Sequence, residues 1–128
     1  MSKLDGEQYV SLATFRKTGK EVLTPVWFAA DPKDRKLLWI YTNVNSGKVK
    51  RVRNNGRARV APCNGVGKLK GEFVDATARM VEAGDPDWQR GWDALHAKYW
   101  LLSVGLFVSR FTGRYAQRGL MAVELKRA

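Results

Sequence analysis

The chain is built from short apolar runs, rich in β-branched and aromatic residues, separated by glycine and asparagine turns. Residues 9–15, YVSLATF, predict a strand, and Lys17-Thr18-Gly19-Lys20 has the chemistry of a hairpin turn that leads into a second strand over 22–29. After the loop Asp31-Pro32-Lys33-Asp34, residues 36–42 predict a third strand. Ser46 stands where a helix N-cap belongs, so 47–55 reads as a short polar helix ended by Asn54-Asn55-Gly56. Strands over 57–63 and 71–82 follow, joined through Asn64-Gly65-Val66-Gly67. The period then changes. Asp85 as N-cap and Pro86 at the first helical position open a helix that puts Trp88, Trp92, Leu95 and Tyr99 on one face. Residues 100–111 are apolar without a clear period, and 119–125 is a closing strand. Six strands and two helices in this order predict a mostly β fold, a small antiparallel barrel with the helices outside the sheet.

A length of 128 residues suits a single domain, 1–128, and 45% hydrophobic with 11% aromatic residues excludes intrinsic disorder. The lone cysteine, Cys63, has no partner for a disulfide, and no metal-ligand spacing is present. A cytoplasmic, reducing location is therefore expected. The N-terminal stretch lacks the apolar core of a signal peptide, and the run 99–108 is too short to span a bilayer.

Charge narrows the choice of partner. The net charge is +11, and no acidic residue lies between Asp34 and Glu72, an interval that holds ten Lys and Arg residues. Lys48, Lys50, Arg51 and Arg53 lie on the short helix, with Thr42 and Ser46 just before it. Helix N-terminal amides, a capping hydroxyl and flanking cations together bind phosphate oxygens, although a solvated basic face has the same composition. Nucleic acid is the rival anion, and no recognition motif for it is present. His96, the only histidine, has no Ser or Cys motif beside it and reads as a surface helix residue. Cys63 reads as a small core hydrophobe and the Trp88, Trp92, Tyr99 face as packing against the sheet.

The string LLWIYTNVNSGKVKRVRNNGRAR ending at Arg59, with YVSLATFRKTGKEVLTPVWF before it and APCNGVGKLKG after it, resembles the split β-barrel flavin and deazaflavin oxidoreductases, the pyridoxamine-phosphate-oxidase-like superfamily. The nearest likeness is to the branch that uses the deazaflavin coenzyme F-420. The resemblance covers about residues 8–83, through TPVW, YTN, SGKVKR and APCN. It implies a homodimer with the cofactor in a groove at the subunit interface. Lys48, Lys50 and Arg51 would grip the phosphate, with Thr42 and Ser46 beside them. Thr24, Pro25, Val26 and Trp27, and the strand end Pro62, Cys63 and Asn64, would border the ring.

Two cofactors then compete. FMN carries one phosphate, whereas the deazaflavin coenzyme carries a phosphodiester and a tail of carboxylates, which an extended cationic groove suits better. The expected activity is hydride transfer from reduced deazaflavin to an unsaturated organic acceptor, with no side-chain nucleophile and no metal. An FMN-dependent oxidoreductase and a non-catalytic cofactor or haem carrier are the alternatives. The apolar surplus of Trp100, Leu101, Leu102, Leu106, Phe107 and Phe111 is expected to serve the dimer contact in preference to a membrane surface.

Overall fold

The computed structural model describes residues 7–43, 46–103 and 118–126, with the side chains of 43, 99–103 and 118 left out of the description. The strands are β1 (Tyr9–Phe15), β2 (Glu21–Ala30), β3 (Leu37–Asn43), β4 (Arg57–Cys63), β5 (Val74–Val81) and β6 (Arg118–Leu125), with helices α1 (Gly47–Asn54) and α2 (Asp87–Ser103). They close an antiparallel barrel in the order β1-β2-β3-β6-β5-β4. The mostly β antiparallel barrel expected from the sequence is therefore the fold.

Alternation decides which side chains fill the barrel. Val10 and Leu12 of β1 face inward with Val26 and Phe28 of β2, Leu38 and Ile40 of β3, Val60 of β4, and Met121 and Val123 of β6. The other parity of β3 and β6 packs outward against α2, where Trp39, Leu120, Ala122, Trp92 and Leu95 form a second cluster. Trp39 is fully buried there. Gly91 lets the helix come that close, because a methyl on it would stand 2.5 Å from Leu120 and 2.7 Å from the Trp39 ring.

The two helices, both peripheral to the sheet, occupy different places. α2 is on the flank, whereas α1 caps the interior, sending only Val49 and Val52 into its cluster. β5 starts at Val74 and not at Gly71, because Lys70 and Leu69 turn back on β4, with the Lys70 amide donating to the Pro62 carbonyl at 2.8 Å. α2 begins as expected, the Asp87 amide donating to Asp85 Oδ1 at 2.8 Å. β2 meets β3 only through Phe28, Ala29 and Ala30, whereas it pairs with β1 along Glu21 to Trp27. Residues 104–111, including Leu106, Phe107 and Phe111, and the side chains of Tyr99, Trp100, Leu101 and Leu102 lie outside the described residues. Among the described residues no helix is long and apolar enough to cross a membrane.

Candidate anion site

The buried face of α1 fixes where its charges go. With Val49 and Val52 inside the barrel, Lys48 and Arg51 are held half-buried at its rim. Arg51 Nε donates to Thr14 Oγ1 at 2.7 Å, and Thr14 is fully buried at the end of β1. Gly47 leaves room for the guanidinium to fold back over the first turn, since a methyl there would lie 2.9 Å from Arg51 Nη1.

The electrostatics of this corner are one-sided. Burial and then the Arg16 charge push the Arg51 pKa down, and burial and then the Arg51 charge push Lys48 down. Three cations thus share a rim, and no ion pair joins Arg16, Lys48 or Arg51 to a carboxylate among the described residues. A bound anion would relieve both depressions at once. A phosphate monoester or diester matches the planar Arg51 fork and the Lys48 point charge.

The sequence named Lys48 and Arg51 but missed Arg16 and Thr14. Their signal was present in the strand end ATFR, where a threonine and an arginine two positions apart frame the hairpin turn. Other expectations need correction. Ser46 makes no side-chain cap, and its Oγ lies 3.4 Å from Thr42 Oγ1, so the two hydroxyls face each other and not the helix amides. Lys50 is exposed on another face of α1. The ten cations are not an uncompensated groove either. Arg53 meets Glu82 at 3.4 Å, Arg59 meets Glu21 at 3.0 Å and Asp75 at 3.9 Å, and Lys70 meets Glu7 at 2.9 Å. Counting along the chain could not see acids that the sheet brings back.

The residues expected to border a ring gather at the far end of β1. Tyr9 pairs with Trp27 on one side and Cys63 on the other, and its ring centroid lies 6.4 Å from that of Trp27. Pro25 is exposed, Thr24 half-buried, and Pro62 and Cys63 are buried. Burial pushes the Cys63 thiol up, followed by the Glu7 charge, so it stays protonated. The Val26 side chain is inside the barrel. Asn64 Oδ1 accepts from the Val66 amide at 3.0 Å and the Lys68 amide at 2.9 Å, so it organises its own turn at this end. From Tyr9 to Thr14 the strand rises about 17 Å, so the anion corner and the aromatic end are separated by one strand length.

A six-stranded antiparallel barrel capped by one helix and flanked by another is the architecture of the pyridoxamine-phosphate-oxidase-like split barrels. The chain belongs to the pyridoxamine 5'-phosphate oxidase family, whose model matches residues 2–122. No curated protein matches it by sequence. Among solved structures it is similar to HutZ, the haem storage protein of Vibrio cholerae, with a TM-score of 0.70, 12% identity, and coverage of 96% of this chain and 84% of that one. It is also similar to the conserved hypothetical protein Rv2991 of Mycobacterium tuberculosis, at TM-score 0.68 and 19% identity, covering 99% of this chain and 82% of that one. An FAD-binding protein of Mesorhizobium loti matches at TM-score 0.65 and 16% identity, covering 97% and 83%. At these identities the likeness is one of fold.

Proposed function

We propose that the chain is an oxidoreductase that holds a phosphate-tailed flavin-type cofactor, reduced deazaflavin F-420, for hydride transfer to an unsaturated organic acceptor. The observation that carries this reading is the corner where half-buried Lys48 and Arg51 and exposed Arg16 press on one another with no ion pair to a carboxylate among the described residues. Arg51, oriented by Thr14, and Lys48 would hold the phosphate. Pro25, Trp27 and Tyr9 would flank the ring one strand length away, the span of a phosphate, a five-carbon chain and a tricycle. When bound, the cofactor supplies a two-electron hydride at its ring. The chain's own part is to grip the tail, exclude water from the ring and leave a face open to the acceptor.

Deazaflavin is chosen over FMN because exposed Lys50 on the same helix adds a further cation beyond the phosphate corner, for a tail of carboxylates. The active unit in this reading is a homodimer. Its support is the apolar exposure of Leu23 at 47%, Leu69 at 42% and Val66 at 88%. His96, exposed with its ring centroid 6.2 Å from that of Trp92, takes no catalytic role.

The test is a side-by-side titration of the protein with F-420, FMN and haemin, followed by tryptophan quenching and absorbance. F-420 should bind most tightly and lose affinity with added salt. Arg51→Ala should weaken it by about tenfold or more, the equivalent of roughly 1.5–3 kcal/mol for hydrogen bonds to a charged group. Tighter FMN binding would reassign the cofactor. Haemin binding alone would make the chain a carrier.

A further inference from the structure

Lys48 stands apart from the other lysines. Of those whose side chains are described, only Lys48 and Lys98 are half-buried, the rest being exposed. Lys98 is engaged, since its amine donates to the Glu7 carbonyl and stands over the Phe28 ring. Lys48 makes neither a side-chain hydrogen bond nor an ion pair among the described residues.

The neighbours of its amine are cations. Arg51 lies one helical turn on, a spacing that brings side chains to about 5–6 Å between Cβ atoms, and its guanidinium folds back over the first turn beside Gly47. Thr14 Oγ1 accepts from Arg51 Nε at 2.7 Å, which leaves Nη1 and Nη2 without an acceptor among the described residues. Arg16 completes the group from the hairpin, exposed and close enough for its charge to act on Arg51. Glu21, at the start of β2, is held by Arg59 at 3.0 Å, and Glu82 by Arg53 at 3.4 Å. This setting suits nucleophilic chemistry at nitrogen. An ammonium does not attack a carbonyl, and a lysine amine is kept neutral by loss of water and by neighbouring positive charge. Both act on Lys48, burial first and the Arg51 charge second, and both push its pKa down. The same guanidinium groups draw an anion to that amine.

We propose that Lys48 is a site of acylation by small acyl phosphates, which Arg51 and Arg16 hold by the phosphate with the acyl carbon against the Lys48 amine. The nitrogen attacks the carbonyl carbon, the bond from that carbon to the phosphate oxygen breaks, and the amine proton leaves on the phosphate. An acyl phosphate and a neutral amine thus give an amide and hydrogen phosphate. Phosphate is both the docking group and the leaving group, and Arg51 stabilises the charge that develops on it. A thioester or an uncharged ester offers the corner no anion at its reacting end. The modification does not depend on the cofactor reading. Its consequence does rest on that reading, since an amide at Lys48 carries no charge and would weaken the grip on a phosphate-tailed cofactor.

The experiment is acetylation of the full chain with acetyl phosphate in phosphate-free buffer, each lysine being followed in time by peptide mass spectrometry. Lys48 should react about tenfold faster than Lys50, exposed on the same helix, and exposed Lys68. The uncharged N-hydroxysuccinimidyl acetate, which gives the corner nothing to hold, should show a clearly smaller preference for Lys48. Sulfate should slow acetyl phosphate at Lys48, and not at Lys50, more than chloride does at matched ionic strength. Arg51→Met should slow the reaction at Lys48 by about tenfold or more, and Arg16→Ala, a change at an exposed position, should slow it several-fold, with thermal melting used to show that each variant folds. Exposed lysines that react as fast as Lys48, the same preference with the uncharged ester, or no protection by sulfate would overturn the proposal. Every readout is taken without cofactor, so a failure here leaves the F-420 reading standing, and a failure of F-420 to bind leaves this one standing.

Discussion

Replacing Lys48 by methionine should make the unliganded protein more stable and the cofactor complex weaker. Lys48 is half-buried one turn before Arg51, burial and that charge both push its pKa down, and no ion pair offsets them among the described residues. Methionine keeps the volume and removes the repulsion. A like-charge pair at helical spacing is unfavourable by a few tenths of a kcal/mol, so with restored apolar burial the gain is about 0.5 kcal/mol, or roughly 2 °C in Tm for a chain of this size. The same change removes a charge-assisted contact to phosphate, which should cost about 1.5–3 kcal/mol of cofactor affinity. Arg51→Met makes the contrast, because it strips the donor from Thr14 Oγ1, a fully buried hydroxyl, and should destabilise the unliganded protein by about 1–2 kcal/mol. The pH dependence has a definite sign. A lysine whose folded pKa is depressed penalises folding below that value, and the penalty is relieved as pH rises toward the ordinary 10.5. The advantage of Lys48→Met is therefore present at neutral pH and shrinks in alkali. Urea denaturation in phosphate-free buffer gives the stability, and calorimetric titration with F-420 and FMN gives the affinity. A variant that loses more than about 1 kcal/mol of stability, or that binds cofactor like wild type, refutes the reading of this corner as a site held open for an anion.

Gly91→Ala reverses an ordinary rule. Alanine in a helix usually gains about 1 kcal/mol over glycine, but here its methyl would meet Leu120 and the Trp39 ring well inside contact distance, so a net loss of about 1–3 kcal/mol is expected in thermal melts. Asp31→Asn should cost about 3 kcal/mol, since only one of the two acceptor oxygens survives, so that an amide NH2 faces either the Trp39 indole or the Lys33 and Asp34 amides and in both cases a nitrogen of Arg90, whose partial exposure limits the loss. Burial alone would raise the Asp31 pKa, yet hydrogen bonds from Arg90, Trp39 and the Lys33 amide hold it below the carboxylate range. Its contribution is therefore present above that range and lost as pH falls through the native value, whereas Asp31→Asn should show no such dependence in acid unfolding curves.

Local signals carried most of the architecture. The strand over Tyr9–Phe15 and the helix opened by Asp85 were legible because turn residues and caps act within a few positions of themselves. The start of β5 was not, since Gly71, Glu72 and Phe73 alternate as a strand would while Leu69 and Lys70 pair back onto β4. The site divided along the same line. Lys48 and Arg51 share one short helix and could be read together, whereas Thr14 joins Arg51 across 37 positions and only the barrel brings them into contact. The basic run misled for the same reason, because Glu21 and Asp75 reach Arg59 through neighbouring strands.

The short seam between β2 and β3 has a consequence for association. With β3 engaged by β2 only through Phe28, Ala29 and Ala30, the stretch from Glu21 to Val26 has a ladder partner on its β1 side alone among the described residues, and so presents an edge of backbone donors and acceptors. Such an edge can template another strand and start intermolecular sheet growth. Pro25 sits in the middle of it and has no amide hydrogen to offer, and Lys20 and Glu21 put charge at its beginning. The motif that lines the expected ring site therefore also works as a guard, and Pro25→Val would be expected to trade a small local change for faster fibril formation on heating, seen as thioflavin fluorescence.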